Sequence, residues 1–97
     1  MKLHVTLGIR DLFKPFRKHV PSAKFIRVTR RSVGYEQWEA DCELLDAAEN
    51  PIVVAETEEL RQLSSLWGEQ CFSDWVHNTL GDVLFQNMQS DVEVEPL

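Results

Sequence analysis

Cys71, Asp74 and His77 are side chains of the types that make a nucleophile, an orienting acid and a base. Asp74 and His77 stand three residues apart, which places them on one face of a helix. Cys71 precedes that helix, however, and no glycine cluster for an oxyanion hole accompanies it. A single Cys/His pair is a weak signature for covalent chemistry. Cys42, Cys71, His4, His19 and His77 show neither CxxC nor HxxxH spacing, so a zinc site would need ligands gathered from distant elements. Gly8, Gly34, Gly68 and Gly81 are isolated, leaving no phosphate-cradling loop. The expectation is a non-enzymatic protein with no catalytic residues, no metal and no cofactor.

Charge is the stronger signal. The net charge of −6 conceals a polarised chain. Nine of the ten basic residues lie in positions 1–31 with Asp11 as the only acid, giving +8, whereas positions 32–97 set Arg61 against fifteen acids, giving −14. Such asymmetry implies either internal pairing of the two parts or an exposed face used for association. The acids form a series: Glu36, Glu39, Asp41, Glu43, Asp46 and Glu49, then Glu56, Glu58 and Glu59, then Asp91, Glu93 and Glu95. Carboxylates spaced along a sheet edge and a helix start can imitate a phosphate path and compete for Lys/Arg grooves that hold nucleic acid. The alternative is a basic surface made of Arg10, Lys14, Arg17, Lys18, Lys24, Arg27, Arg30 and Arg31, which would grip phosphates directly. Phe13 and Phe16 interleave with it at helical core spacing, and the overall charge opposes nucleic-acid binding.

These residues need elements to position them. Lys2–Leu7 alternates apolar and polar residues, which predicts a strand closed by Gly8. Ile9, Leu12, Phe13 and Phe16 recur at helical spacing opposite Arg10, Lys14, Arg17 and Lys18, predicting a short basic helix that Pro15 kinks or restarts and Pro21 ends. Lys24–Arg31 and Trp38–Leu44 alternate around Val33-Gly34-Tyr35, the pattern of a β-hairpin. A third strand over 52–56 follows the turn at Asp46–Pro51. Thr57 is the expected N-cap of a helix over 58–67 with glutamates in its first turn, and Gly68 is placed to end it. Phe72, Trp75, Val76, Leu80, Val83 and Leu84 mark the last helix, with Ser73 or Asp74 near its cap. Residues 88–97 read as a mobile acidic tail. The order β-α-β-β-β-α-α predicts an α+β domain: a mostly antiparallel sheet of three to four strands with helices on one face. Trp38, Trp67 and Trp75 are expected as core or helix-packing residues, although an exposed tryptophan would make a good interface anchor.

Hairpin register decides whether its charges cancel, because a one-residue slip turns every side chain to the other face. Placing Ile26 and Val28 on the face of Trp38, Ala40 and Cys42 predicts pairs Ile26–Cys42 and Val28–Ala40. Arg27 then faces Asp41, Thr29 faces Glu39, and Glu43 faces Phe25. On this reading part of the charge is cross-strand pairing on a solvated face, with an acidic surplus left over.

At 97 residues the chain fits a single domain over 1–97. Its longest apolar runs are far short of the roughly 20 residues that span a bilayer, and the N-terminus lacks the apolar stretch of a signal peptide. A cytoplasmic protein with reduced thiols and no membrane partner is expected. In size, in its lack of enzymatic motifs and in the carboxylate series from Glu36 to Glu59, the chain resembles the small acidic inhibitors of phages and mobile elements, the anti-CRISPR and anti-restriction DNA mimics. The resemblance is one of character and carries no shared motif; the basic N-terminal third departs from a simple mimic. It implies a stoichiometric inhibitor that docks on a nucleic-acid-binding protein, such as a CRISPR surveillance complex, through the acidic hairpin. A homodimeric adaptor, in which the basic part of one chain meets the acidic part of another, is the third option.

Overall fold

The computed structural model describes residues 2–97, with side chains from Gly8 onward. Helix α1 (Lys2–Phe13) runs into a 3₁₀ segment (Lys14–His19), followed by β1 (Phe25–Gly34), β2 (Gln37–Leu45), the short β3 (Pro51–Ile52) and α2 (Glu58–Ser65). Then α3 (Phe72–Trp75), a π-helical turn (Val76–Leu80) and α4 (Gly81–Phe85) follow without a break, and β4 (Val92–Pro96) closes the chain. The four strands form one antiparallel sheet in the order β3-β2-β1-β4. This is an α+β fold with the helices on one face of the sheet.

The core forms where the inward row of the sheet meets the helical stripes. Ile26, Val28 and Leu44 pack with Ile9, Phe13, Phe16, Leu60, Phe72, Trp75, Leu80 and Leu84 in one buried cluster. Its centre is aromatic: the Trp75 ring lies 4.0 Å from that of Phe16 and 6.0 Å from that of Phe72, centroid to centroid. The tilt of one pair and the 6.0 Å separation of the other avoid a face-to-face sandwich, in keeping with the quadrupole of aromatic rings. Gly81 brings the last helix down onto the sheet, because a Cβ there would collide with the Cys42 sulfur and stand 3.0 Å from the Val76 carbonyl oxygen.

The helix caps follow the sequence closely. Thr57 Oγ1 accepts from the Leu60 N–H at 3.2 Å. Gly68, at φ +81°, takes the left-handed conformation after α2. For the last helix the cap is Cys71, with Ser73 and Asp74 beside it in the first turn: the Cys71 sulfur accepts weakly from the Asp74 N–H at 3.5 Å, while the Glu56 carboxylate accepts from the Phe72 N–H at 3.0 and 3.2 Å. Pro15 begins the 3₁₀ segment instead of bending α1, in keeping with its tolerance in a first turn.

Four expectations about the strands are corrected. The strand expected at Lys2–Leu7 is the start of α1. A six-residue alternation is too short to exclude the helical period, and the helix marked by Ile9, Leu12, Phe13 and Phe16 continues back through it; the side chains of the alternation itself lie outside the described residues. The fourth strand comes from the C-terminus, where Val92–Pro96, expected in a mobile tail, pairs with Phe25–Thr29. Its glutamates point inward: Glu93 and Glu95 sit opposite Val28 and Ile26 and are only 4% and 5% exposed. Glu93 Oε2 accepts from the Gln89 N–H at 2.6 Å and the Ser90 N–H at 3.2 Å, which ties down the loop before the strand. The third strand is the two residues Pro51–Ile52 and not 52–56, because the chain leaves the sheet to bring Val54 to the core and Glu56 to the last helix. The fourth correction is the hairpin register, which decides the charges.

Candidate functional site

In the hairpin, Arg27 pairs with Glu43, Thr29 with Asp41 and Arg31 with Glu39, while Val28 lies opposite Cys42 and Ile26 opposite Leu44. The register is displaced by two residues from the expected one, so every side chain keeps its expected face and changes its partner. The cause is the turn. Gly34 pairs directly with Gln37, leaving only Tyr35 and Glu36 to reverse the chain, with Glu36 in the left-handed region (φ 57°) and an irregularity between Ser32 and Gly34.

On the outward face this produces a charge ladder. An Arg27 Nη2–Glu43 Oε1 contact measures 2.6 Å; Arg31 reaches Glu39 Oε2 at 3.1 Å and Asp41 Oδ2 at 3.5 Å. Arg30, on the opposite face, bonds Asp91 at 3.1 Å and lays its guanidinium over the Trp38 ring, 5.0 Å from the centroid. The charges of the hairpin therefore largely cancel, with three outward carboxylates sharing two guanidinium groups.

The remaining acids of the expected contact set are scattered. Asp46 Oδ1 accepts from the Ala48 and Asn50 N–H groups, both at 2.9 Å, and so builds its own turn, in which Glu49 takes φ 63°. Glu56 is committed to the Phe72 N–H. Glu58 holds Arg61 at 2.5 Å, and that hydrogen bond keeps its carboxyl below the usual range. Glu36 sits at the hairpin tip and Glu59 on exposed α2. No continuous row of unpaired carboxylates results.

The basic set divides as well. Arg27, Arg30 and Arg31 are consumed by the sheet. Arg10, Lys14, Arg17 and Lys18 are exposed on α1 and the 3₁₀ segment, and no ion pair to them is found among the described residues.

Cys71, Asp74 and His77 do not assemble as nucleophile, acid and base. The Cys71 sulfur faces the Asp74 backbone N–H, and His77 Nδ1 lies 3.1 Å from the Ser73 carbonyl oxygen. Burial, reinforced by Asp41, pushes the Cys42 thiol up to about 11, which keeps it protonated at neutral pH. Among the described residues no group of three His, Cys, Asp or Glu side chains is arranged to hold a metal, and no helix is long and apolar enough to cross a membrane.

What sequence reasoning missed is the hairpin's reach. β4 pairs with β1 only as far as Thr29, with one more bond from the Arg30 N–H to the Asp91 carbonyl, and β3 covers β2 only at Leu44 and Leu45, so the hairpin beyond projects as a two-stranded ribbon. Its tip exposes Val33 (47%), Tyr35 (92%) and Trp38 (52%). Trp38 was expected in the core; it has the inward parity, but it lies beyond the helices that would cover it. The nearest sequence signal was the length of the two alternating runs, longer than a short helical layer covers.

The chain matches no protein-family model, no curated protein and no solved structure.

Proposed function

We propose that this chain is a non-enzymatic binding protein whose interaction element is the β1–β2 hairpin, and that it inhibits a basic, nucleic-acid-binding protein by occupying its groove. The observation that carries the reading is the ribbon tip: Tyr35 and Trp38 are exposed there, with Arg30 stacked over the Trp38 ring on one face and the Arg31–Glu39 pair on the other. Tyrosine, tryptophan and arginine are the residues that most often anchor protein interfaces, and a charged rim around them fits a complementary surface. The anchor is thus aromatic. The carboxylates at Glu36, Glu39, Asp41 and Glu43 act as an acidic rim matched to a basic groove, not as a bare copy of a phosphate path. A CRISPR surveillance complex is the target class that the resemblance to small phage inhibitors suggests.

A second reading has its own support. Lys14, Arg17 and Lys18 line a shallow depression with His19 and Leu63 and carry no described ion pair, so a nucleic-acid phosphate chain is the other candidate ligand.

One titration separates the two: labelled duplex with the protein alone, then duplex pre-bound to a surveillance complex. The hairpin reading expects free duplex to stay unshifted and bound duplex to be released. Tyr35→Ser and Trp38→Ser should each weaken release by about 10-fold or more, as loss of an interface anchor does. Retardation of free duplex that weakens with salt and disappears in Lys14→Ala/Arg17→Ala overturns it and assigns the basic face.

A further inference from the structure

The hairpin has an unpaired edge whose polarity can be worked out. The Arg30 N–H bonds the Asp91 carbonyl on the β4 side, so Thr29 and Arg31 turn their backbone groups to β2, where they stand opposite Asp41 and Glu39. In an antiparallel ladder alternate residues turn their backbone groups to opposite sides, so the odd-numbered residues of β2 bond to β1. Trp38, Ala40 and Cys42 then direct their N–H and C=O groups to the other side, where β3 has already ended. An edge with free backbone groups is a template for another strand.

We propose that this β2 edge receives an extended segment of the partner protein, added as a further strand beside Trp38–Cys42, with Lys or Arg at alternate positions and apolar residues between them. The charge rows carry this choice. Glu39, Asp41 and Glu43 stand in one outward row, and each gives only one oxygen to β1: Oε2, Oδ2 and Oε1 respectively. Basic side chains on the added strand would meet the remaining oxygens from the other flank, as Arg27 and Arg31 do from theirs. A second copy of β2 in that place would set carboxylate against carboxylate, which is destabilising. The intervening side chains of the segment fall on the face of Ala40 and Cys42. Beside them a groove of about 300 Å³ opens, lined by Cys42, Ile52, Val54, Phe72, Val76 and His77, and it accepts an apolar side chain. Backbone bonds supply affinity in such complexes, and the alternating pockets supply selectivity.

This inference rests on the hairpin being the interaction element, and its test does not require the natural target. Acetyl-KVKVKVKV-amide is titrated into the full chain while backbone amide exchange is followed. Exchange at Trp38, Ala40 and Cys42 should slow by about 10-fold or more, as it does for newly bonded amides. Two further peptides carry N-methyl groups, one on every valine nitrogen and the other on every lysine nitrogen. One should lose the effect and the other keep it, because only one set of N–H groups faces β2. Acetyl-EVEVEVEV-amide should give none. The inference is overturned if those three amides are unaffected, if both methylated peptides act alike, or if the glutamate peptide works equally well. It is also overturned if the amides are already protected in a peptide-free dimer of doubled mass. Peptide protection without release of bound duplex would retain the edge site and reject the inhibitor reading; release without peptide protection would do the reverse.

Discussion

Cys42 and Gly81 show how a single contact sets chemistry as well as packing. The thiol is half-buried where the last helix touches β2, and burial raises its pKa from 9.0 to about 11. A group whose folded pKa is raised contributes stability that is intact below the unfolded value and declines as pH rises towards the folded one. Native unfolding titrations should therefore show this contribution intact below pH 9 and lost between pH 9 and about 11, and Cys42→Ala should flatten that decline. In a thiol-labelling experiment at pH 8, Cys42 should react more slowly than Cys71 in the native state, because its raised pKa leaves less thiolate, whereas equal labelling of both would mean that the helix lifts from the sheet. Gly81→Ala pushes a methyl into the Cys42 sulfur and should cost about 1–3 kcal/mol, the usual range for overpacking. Adding Cys42→Ala should recover part of that loss, a coupling readable as non-additivity in denaturant melts.

The hairpin poses the same problem over a whole element. Parity placed each side chain on its face correctly, since Ile26, Val28, Ala40 and Cys42 share one side and Arg27, Arg31, Glu39, Asp41 and Glu43 the other. The partner of each residue was not legible from parity, because a displacement by two residues leaves the faces unchanged and only the turn sets the offset. A double-mutant cycle on Arg27 and Glu43 should give a coupling of about 0.2–1 kcal/mol, the range for half-exposed opposite-charge pairs across a sheet. The same cycle on Arg27 and Asp41, the expected pair, should give a coupling near zero. Equal couplings would mean that the ribbon slips between registers.

For the whole molecule, the question is how a basic N-terminal third and an acidic remainder share one fold. β1 lies between β2 and β4, and its three arginines meet Glu39, Asp41, Glu43 and Asp91 there, which spends those cations inside the sheet and leaves the 3₁₀ segment as the basic pole. β4 also completes the sheet beside β1 and buries Glu93 and Glu95, so a chain ending at Ser90 should lose cooperative thermal unfolding, checked by circular dichroism against the full chain. A sharp melt at unchanged temperature would show β4 to be dispensable. Local pattern alone determined the α+β class, the hairpin, Thr57 as a cap, Gly68 as a helix end and the apolar stripe of the last helix. Each of these depends on residues within a turn or two of one another. The structure decided between two periods at Lys2–Leu7, which is helical, and tertiary contacts decided that Val92–Pro96 is a strand, which carboxylate meets which arginine, and that Trp38 stands in the open. A six-residue alternation fits either period, and a polar tail can become a strand if an edge awaits it. Whether an inward-facing residue is buried depends on how far the opposing layer extends, a distance set by elements remote in the chain.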